Sequence, residues 1–385
     1  MKKILIIHNK YRLPGGEDIA VSTEEKILNK YFNTKLIYFE NTIDNFVLQF
    51  FYFLINKNFS SIKKIKKVIS EFNPDAVYIH NTWFKVSPGI FNELFKLDIP
   101  VFLKLHNYRF FCTKDFMKKN HFGSLEFCKG CGLYRNELGW FNKYFIDSYL
   151  RSFLIAIYGH KYYKILKNSK LKIFCLTNFQ KEFLIRHGFD SKKIFVHRNY
   201  IQPESREQKS TKLEKEYIVY AGRISKEKGI QFLLDSYLQS DLKFKYNFKL
   251  IGDGPELKKL KKSYKQNGIE FLGQIDNLTS VGFIKNSSLV VTASQLYECQ
   301  PTLLCEASSL GIPSLFPSND GIQEFFPKNY KLVFDQNDKG SLVKVFDEIL
   351  ERDDLDIIGK ENKVFLKKLL NIENYLYNFQ NITRI

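Results

Sequence analysis

Two carboxylates eight residues apart, Glu298 and Glu306, bracket the run Cys299-Gln300-Pro301-Thr302, and Gly311 follows five residues later. Proline suits the start of a helix and glycine the residue just past its end, so Glu298 is expected in a loop and Glu306 on the helix that follows. The backbone amides of Cys299, Gln300 and Thr302 then lie at the positive end of that helix, a place suited to ligand hydroxyls and anionic oxygens. A second constellation is Gly222-Arg223-Ile224-Ser225-Lys226-Glu227-Lys228-Gly229. Its Arg223 fork, its Lys228 ammonium and the amides of the helix it enters can converge on one diphosphate.

The elements around these residues read as a parallel α/β sheet. The apolar run Ser288–Thr292 enters the carboxylate loop, Ile312–Phe316 leaves it, and Tyr217–Ala221 leads into Gly222. All the candidates then sit at carboxyl ends of strands, where open α/β sheets bind ligands. Lys249–Ile251 followed by Gly252-Asp253-Gly254 repeats the pattern, and Ile269–Gly273 and Asn319-Asp320-Gly321 supply further strand ends and turns. The Gly252 turn is no dinucleotide fingerprint, because the third glycine and the distant acid of that motif are missing.

The N-terminal half repeats the logic. Strand Lys3–His8 runs through a loop into Gly15-Gly16-Glu17-Asp18 and a helix to about Tyr31; the glycines are open to two readings, a tight turn or a close backbone approach to a ligand. Strands ending in His80-Asn81 and His106-Asn107 present histidines at one sheet edge, and His197-Arg198-Asn199-Tyr200 follows the last strand of this half. Cys112, His121, Cys128 and Cys131 could together hold a structural zinc ion, although their spacing is unlike common zinc-finger layouts. Two stretches mix aromatics with lysines, Phe46–Ile55 with Lys63–Lys67, and 138–172. Each fits a basic segment on an anionic membrane; the other reading is a buried helix followed by a solvated one for the first, and an amphipathic helix packed on the sheet with a solvated basic face for the second.

The Glu-x7-Glu spacing resembles the signature of retaining glycosyltransferases of family 4, which have the two-domain GT-B fold. The resemblance implies two Rossmann-like α/β domains facing across a cleft, with the last helix crossing back to the first domain. It implies a nucleoside-diphosphate sugar as donor, no cofactor or metal for catalysis, and transfer to a hydroxyl of a glycan or lipid-linked acceptor with retained configuration. The catalytic set carried over is Glu298, His106, Arg223 and Lys228. Arg223 and Lys228 neutralise the leaving diphosphate, Glu298 and His106 contact the donor sugar, and Glu306 accepts from the ribose hydroxyls. The donor set also includes Gly15, Gly16, Gly222, Gly252, Cys299, Gln300 and Thr302, with Glu17, Asn107 and Asn199 on the acceptor side. Cys299 departs from the family's usual residue after the first Glu, which leaves sugar choice open. One branch of the family also carries a Gly-Gly-Glu-Asp loop, a His-Asn-Tyr-Arg strand end and a Cys-x-x-Cys.

At 385 residues the chain is long enough for two domains. The expected boundaries are 1–200, a polar linker at 201–215, 216–360, and a C-terminal helix at 361–385 packed back on the first domain. No apolar run approaches the ~20 residues that span a bilayer, and Met1–His8 reads as a buried strand and not as an export signal. Six irregularly placed cysteines suit a reducing compartment. A net charge of +18 favours anionic partners, although a Lys-, Asn- and Ile-rich composition also follows from an A/T-rich genome. No basic stripe with base-stacking aromatics marks a nucleic-acid binder. The expected setting is cytoplasmic, peripheral on the inner face of the membrane. Other GT-B chemistries remain as alternatives: a phosphorylase, an epimerase, a sugar-phosphate synthase, or a non-catalytic nucleotide-sugar-binding protein.

Overall fold

Strand β1 (Lys3–Lys10) is apolar without alternation from Ile4 to Ile7, the pattern of a parallel strand covered on both faces, and those residues are buried. The structure is a computed structural model that describes residues 1–10, 15–108, 158–159, 161–201, 217–265, 268–318 and 320–384. They divide into two units, Met1–Tyr200 with Ile372–Ile385, and Ile201–Asn371.

In the first unit β1 pairs with β2 (Asn33–Glu40) and β3 (Ala76–Ile79), and the sheet continues through β4 (Val101–Leu105), β5 (Leu171–Cys175) and β6 (Ile194–Val196) in the order β2-β1-β3-β4-β5-β6. Every pairing is parallel. The strand order reverses between β1 and β3, so the ends of those strands and of β4 border the switch point. Helix α1 (Gly16–Leu28) starts where Gly15 N–H donates to the Asp18 carboxylate at 2.9 Å. Two helices follow β2: α2 (Phe46–Ile55), capped by Asn45, and α3 (Phe59–Phe72), capped by Asn58. In α3 the residues Ile62 and Ile65 face inward while Lys63, Lys64, Lys66 and Lys67 face solvent, the 3.6-residue division of an amphipathic helix.

The second unit has six strands: β7 (Tyr217–Ala221), β8 (Asn247–Ile251), β9 (Ile269–Gly273), β10 (Leu289–Val291), β11 (Ser314–Pro317) and β12 (Val333–Phe334). Their order is β12-β11-β10-β7-β8-β9, all parallel, which is the doubly wound dinucleotide-binding arrangement with its switch between β7 and β10. Helix α4 (Thr302–Leu310) joins β10 to β11, with Pro301 as N-cap and Gly311 in the left-handed conformation at its end. The proline is therefore one residue outside the helix and not in its first turn.

The expected single helix at 361–385 is two. Helix α5 (Leu355–Leu369) stays in the second unit, where it packs on α4: Gly359 lies so close to Gly311 that a Cβ would come within 2.1 Å of the Gly311 carbonyl oxygen. Helix α6 (Ile372–Thr383) lies in the first unit, where Tyr375, Leu376 and Phe379 join the core of Ile4, Ile6, Tyr78, Phe102 and Phe174. The break has a packing cause. Leu366 and Leu370 are buried in one core and Tyr375 in the other.

Candidate active site

In the second domain the two motifs emerge from β7 and β10, the strands that flank the switch point. Gly222 N–H donates to the Ile251 carbonyl at 2.9 Å and Tyr220 Oη–H to the Arg223 carbonyl at 2.9 Å, so the β7 loop is fixed by the end of β8 and by a side chain of its own strand. Gly229 turns it into the next helix at φ 66°, where a side chain would collide with the Ala293 carbonyl. Gln295 N–H in turn donates to the Glu227 carbonyl at 2.9 Å, tying the β10 loop to the β7 loop.

These ties bring Lys228 Nζ to 2.5 Å from Glu298 Oε1. Burial opposes the Glu298 charge, but the Lys228 ammonium, with a hydrogen bond from Ser294, holds its carboxyl below the usual range. The pair is only about three-quarters covered, with 28% of the lysine and 20% of the glutamate side chain exposed. An ammonium has three donors, and Glu298 takes one. Arg223, five residues earlier in the chain, is exposed. Thr302 opens α4 and Glu306 lies on it half-buried, whereas Cys299 and Gln300 are buried in the loop between. Gly252 N–H donates to the Gly273 carbonyl at 2.7 Å, and a Cβ on Gly252 would stand 2.0 Å from the Gly222 carbonyl oxygen. That glycine serves loop packing, whatever else it serves.

In the first domain Gly15 N–H and His8 Nε2 share the Asp18 carboxylate, each at 2.9 Å, while Asn107 Nδ2 donates to Glu17 at 3.2 Å. Of the residues expected on the acceptor side, Asn107 is thus joined to Glu17 at the start of α1. Asn199 lies half-buried beyond β6. His106 is half-buried just past β4, with its Nε2 at 2.9 Å from His80 Nδ1. His80 itself is 4% exposed, so it supports the strand ends from beneath and is not a second surface histidine.

Beneath these histidines lies a group that the motifs did not announce. Glu24 of α1 is buried and accepts two hydrogen bonds from Lys104 at 3.0 and 2.9 Å, one from Tyr78 at 2.9 Å and one from Tyr375 of α6 at 2.5 Å. His197 Nε2 stands 3.5 Å away. Burial would raise the Glu24 carboxyl; Lys104, then His197 and His80, outweigh it and hold it well below the usual range. Burial lowers the histidines, His80 to about 3 and His197 to about 4, and keeps both neutral at pH 7. The sequence signal was Lys104 itself. A lysine within the strand Val-Phe-Leu-Lys-Leu is buried only with a partner.

Cys112, His121, Cys128 and Cys131 lie outside the described residues, as do most of 138–172 and the linker. No group of side chains suited to a metal occurs among the described residues. No described helix is long and apolar enough to cross a membrane.

Comparison with known proteins follows this division. Residues 201–364 match the family profile described as Glycosyl transferases group 1, a stretch that covers most of the second domain but less than half of the chain. An uncharacterised glycosyltransferase of Methanocaldococcus jannaschii is 24% identical over 259 residues, 65% of this chain and 63% of that relative. The chain thus spans rather less than two thirds of that relative's length. Among solved structures, a sucrose-phosphate synthase from Thermosynechococcus elongatus superposes with a TM-score of 0.73 at 14% identity, over 100% of this chain and 98% of that one. Anabaena Alr3699/HepE, in complex with UDP and glucose, gives 0.69 at 14% identity over 99% of both chains. With two parallel-sheet domains of six strands each, the chain has the GT-B fold.

Proposed function

We propose that this chain is a retaining, metal-independent glycosyltransferase of the family 4 type, which moves a sugar from a nucleoside-diphosphate sugar to a hydroxyl of a glycan or lipid-linked acceptor in cell-surface polysaccharide synthesis. The observation that carries the reading is the contact of Lys228 with Glu298 across the switch point, because it joins a cation for a leaving group to a carboxylate for sugar hydroxyls. The group 1 match over the same domain supports it.

In this reading the anomeric carbon–oxygen bond to the diphosphate breaks as the acceptor oxygen bonds to the same face of that carbon. The acceptor proton passes to the departing phosphate oxygen. Negative charge grows on the diphosphate, and the Arg223 guanidinium and the Lys228 ammonium are its counterpart. Glu298, His106 and the amides of Cys299, Gln300 and Thr302 hold the sugar, Glu306 the ribose, Gly15 and Gly16 border the donor, and Glu17, Asn107 and Asn199 border the acceptor. The test is release of nucleoside diphosphate from a panel of donors, with the product linkage read by NMR. Product of inverted configuration would overturn the mechanism, and sugar 1-phosphate as product would favour a phosphorylase.

The same reading places the protein at an anionic membrane, and the described surface offers a face for it. Phe53 of α2 packs inward between Trp83 and Tyr158, while Phe46, Val47 and Phe51 on the same helix are 74%, 76% and 50% exposed. Exposed Lys63 and Lys64 stand on the next helix, so apolar insertion and basic attraction come together. Flotation should bring the protein up with vesicles containing anionic phosphatidylglycerol and not with phosphatidylcholine alone. Replacing Phe46 and Phe51 by Ser should abolish that binding; binding unchanged in the double variant would remove α2 from the proposal.

A further inference from the structure

His80 and His106 each stand one residue past the end of neighbouring parallel strands, β3 and β4, and their rings meet at a centroid distance of 5.2 Å with 28° between planes. The 2.9 Å contact from His80 Nδ1 to His106 Nε2 can hold only one proton when both rings are neutral. Burial favours that state, lowering both rings, His80 to about 3.

Two observations decide which ring donates. Glu24 Oε2 lies 3.9 Å from His80 Nδ1, and its negative charge favours a hydrogen on that nitrogen. The Lys104 ammonium and His197 also face this region, but Lys104 spends two donors on the Glu24 carboxylate. Second, His80 Nε2 is buried with no hydrogen-bond partner. A proton there would be a buried N–H without an acceptor, which folded proteins rarely contain; without the proton, only a lone pair goes unused.

We propose that His80 is a positioning residue: its Nδ1–H donates to His106 Nε2, which leaves His106 with its own proton on Nδ1, as a donor to the bound sugar. This rests on the reading of His106 as a donor-sugar contact. It adds a chemical restriction. His106 supplies a hydrogen bond and takes no proton from the acceptor, in keeping with a route in which the leaving phosphate oxygen does so.

Nitrogen-15 NMR of histidine-labelled protein, with His106 assigned from its loss in His106→Gln, reads the tautomer without any turnover. His106 should carry its proton on Nδ1 from pH 6 to 8. In His80→Phe it should shift towards the Nε2-protonated form, with turnover falling at least severalfold and KM for the donor little changed. His80→Asn, whose amide nitrogen overlies Nδ1, should keep both the tautomer and most of the turnover. An Nε2-protonated His106 in the unaltered protein, or an unshifted tautomer in His80→Phe, overturns the proposal, and His80→Asn decides the matter if the Phe variant does not fold. A shifted tautomer with full turnover would instead overturn the assignment of His106 to the sugar.

Discussion

The two domains share a layout and differ in where they keep their charge. Each is a six-stranded parallel sheet with a reversal of strand order, and each gathers polar residues at the strand ends beside that reversal. In the first domain the ion pair Glu24–Lys104 is sealed between α1 and the sheet, 3% and 0% exposed at its side chains. In the second, Lys228–Glu298 sits on top, in loops, and reaches solvent. All seven histidines of the chain also fall before residue 201. A buried pair cannot bind a substrate, but it can hold neighbouring rings oriented, whereas a partly exposed pair can exchange partners with a ligand. The same two residue types thus serve as scaffold in one domain and as candidate chemistry in the other.

The difference should be largest in stability. Glu24→Ala strands the Lys104 ammonium in the core, and removing one partner of a buried pair costs about 3–5 kcal/mol. Lys228→Ala should cost under about 1 kcal/mol, since solvent already screens that pair. Urea unfolding followed by hydrogen exchange in β1 and β7 peptides measures both, and equal losses would erase the distinction. Catalysis should rank them the other way. Losing one charge-assisted contact to a diphosphate costs about 1.5–3 kcal/mol, so Lys228→Ala and Arg223→Ala should each lower turnover at least about tenfold. Near-normal turnover in both would sink the donor assignment.

Acid should separate the domains more gently. His80 and His197 have folded values of about 3 and about 4, both below the ordinary 6.5, so the unfolded chain binds more protons in that interval and the first domain weakens as pH falls from 6.5. Glu24 and Glu298 are depressed carboxylates, whose contributions are present above about 4.5 and vanish only as pH falls through their lower folded values. Exchange protection, corrected for intrinsic rates, should therefore fall between pH 6.5 and 4.5 in β3 and β4 but hold in β7 and β10. The finest contrast lies within the second domain. Glu298→Gln should slow single-turnover transfer while sparing diphosphate binding, and Glu306→Gln should mainly weaken calorimetric binding of the diphosphate, an effect that a 2′-deoxyribose donor escapes. Equal binding losses in the two variants would show that the carboxylates do not divide sugar from ribose.

What the sequence disclosed depended on how local the signal was. The carboxylate loop was readable because Pro301 and Gly311 punctuate it and apolar strands flank it, and Glu298 and Glu306 lie in the loop and on the helix, as that reading placed them. The contact from Lys228 to Glu298 joins positions 70 apart and needed the strand order. Glu24 was invisible, since a glutamate in Thr-Glu-Glu-Lys on a helix reads as solvated. The break near Asn371 was hidden for another reason: Leu369, Leu370 and Ile372 continue one apolar pattern while serving two different cores.

Helix α6 also sets an order of events during synthesis. Residues 1–200 leave the ribosome first, yet Glu24 waits 351 residues for the phenol of Tyr375, and the aromatic core around Tyr78 waits for Phe379. The last residue of the second unit is Asn371. The earlier half of the chain is therefore the later one to be finished, and a product halted before residue 372 would carry a complete second domain beside a first domain with an open core.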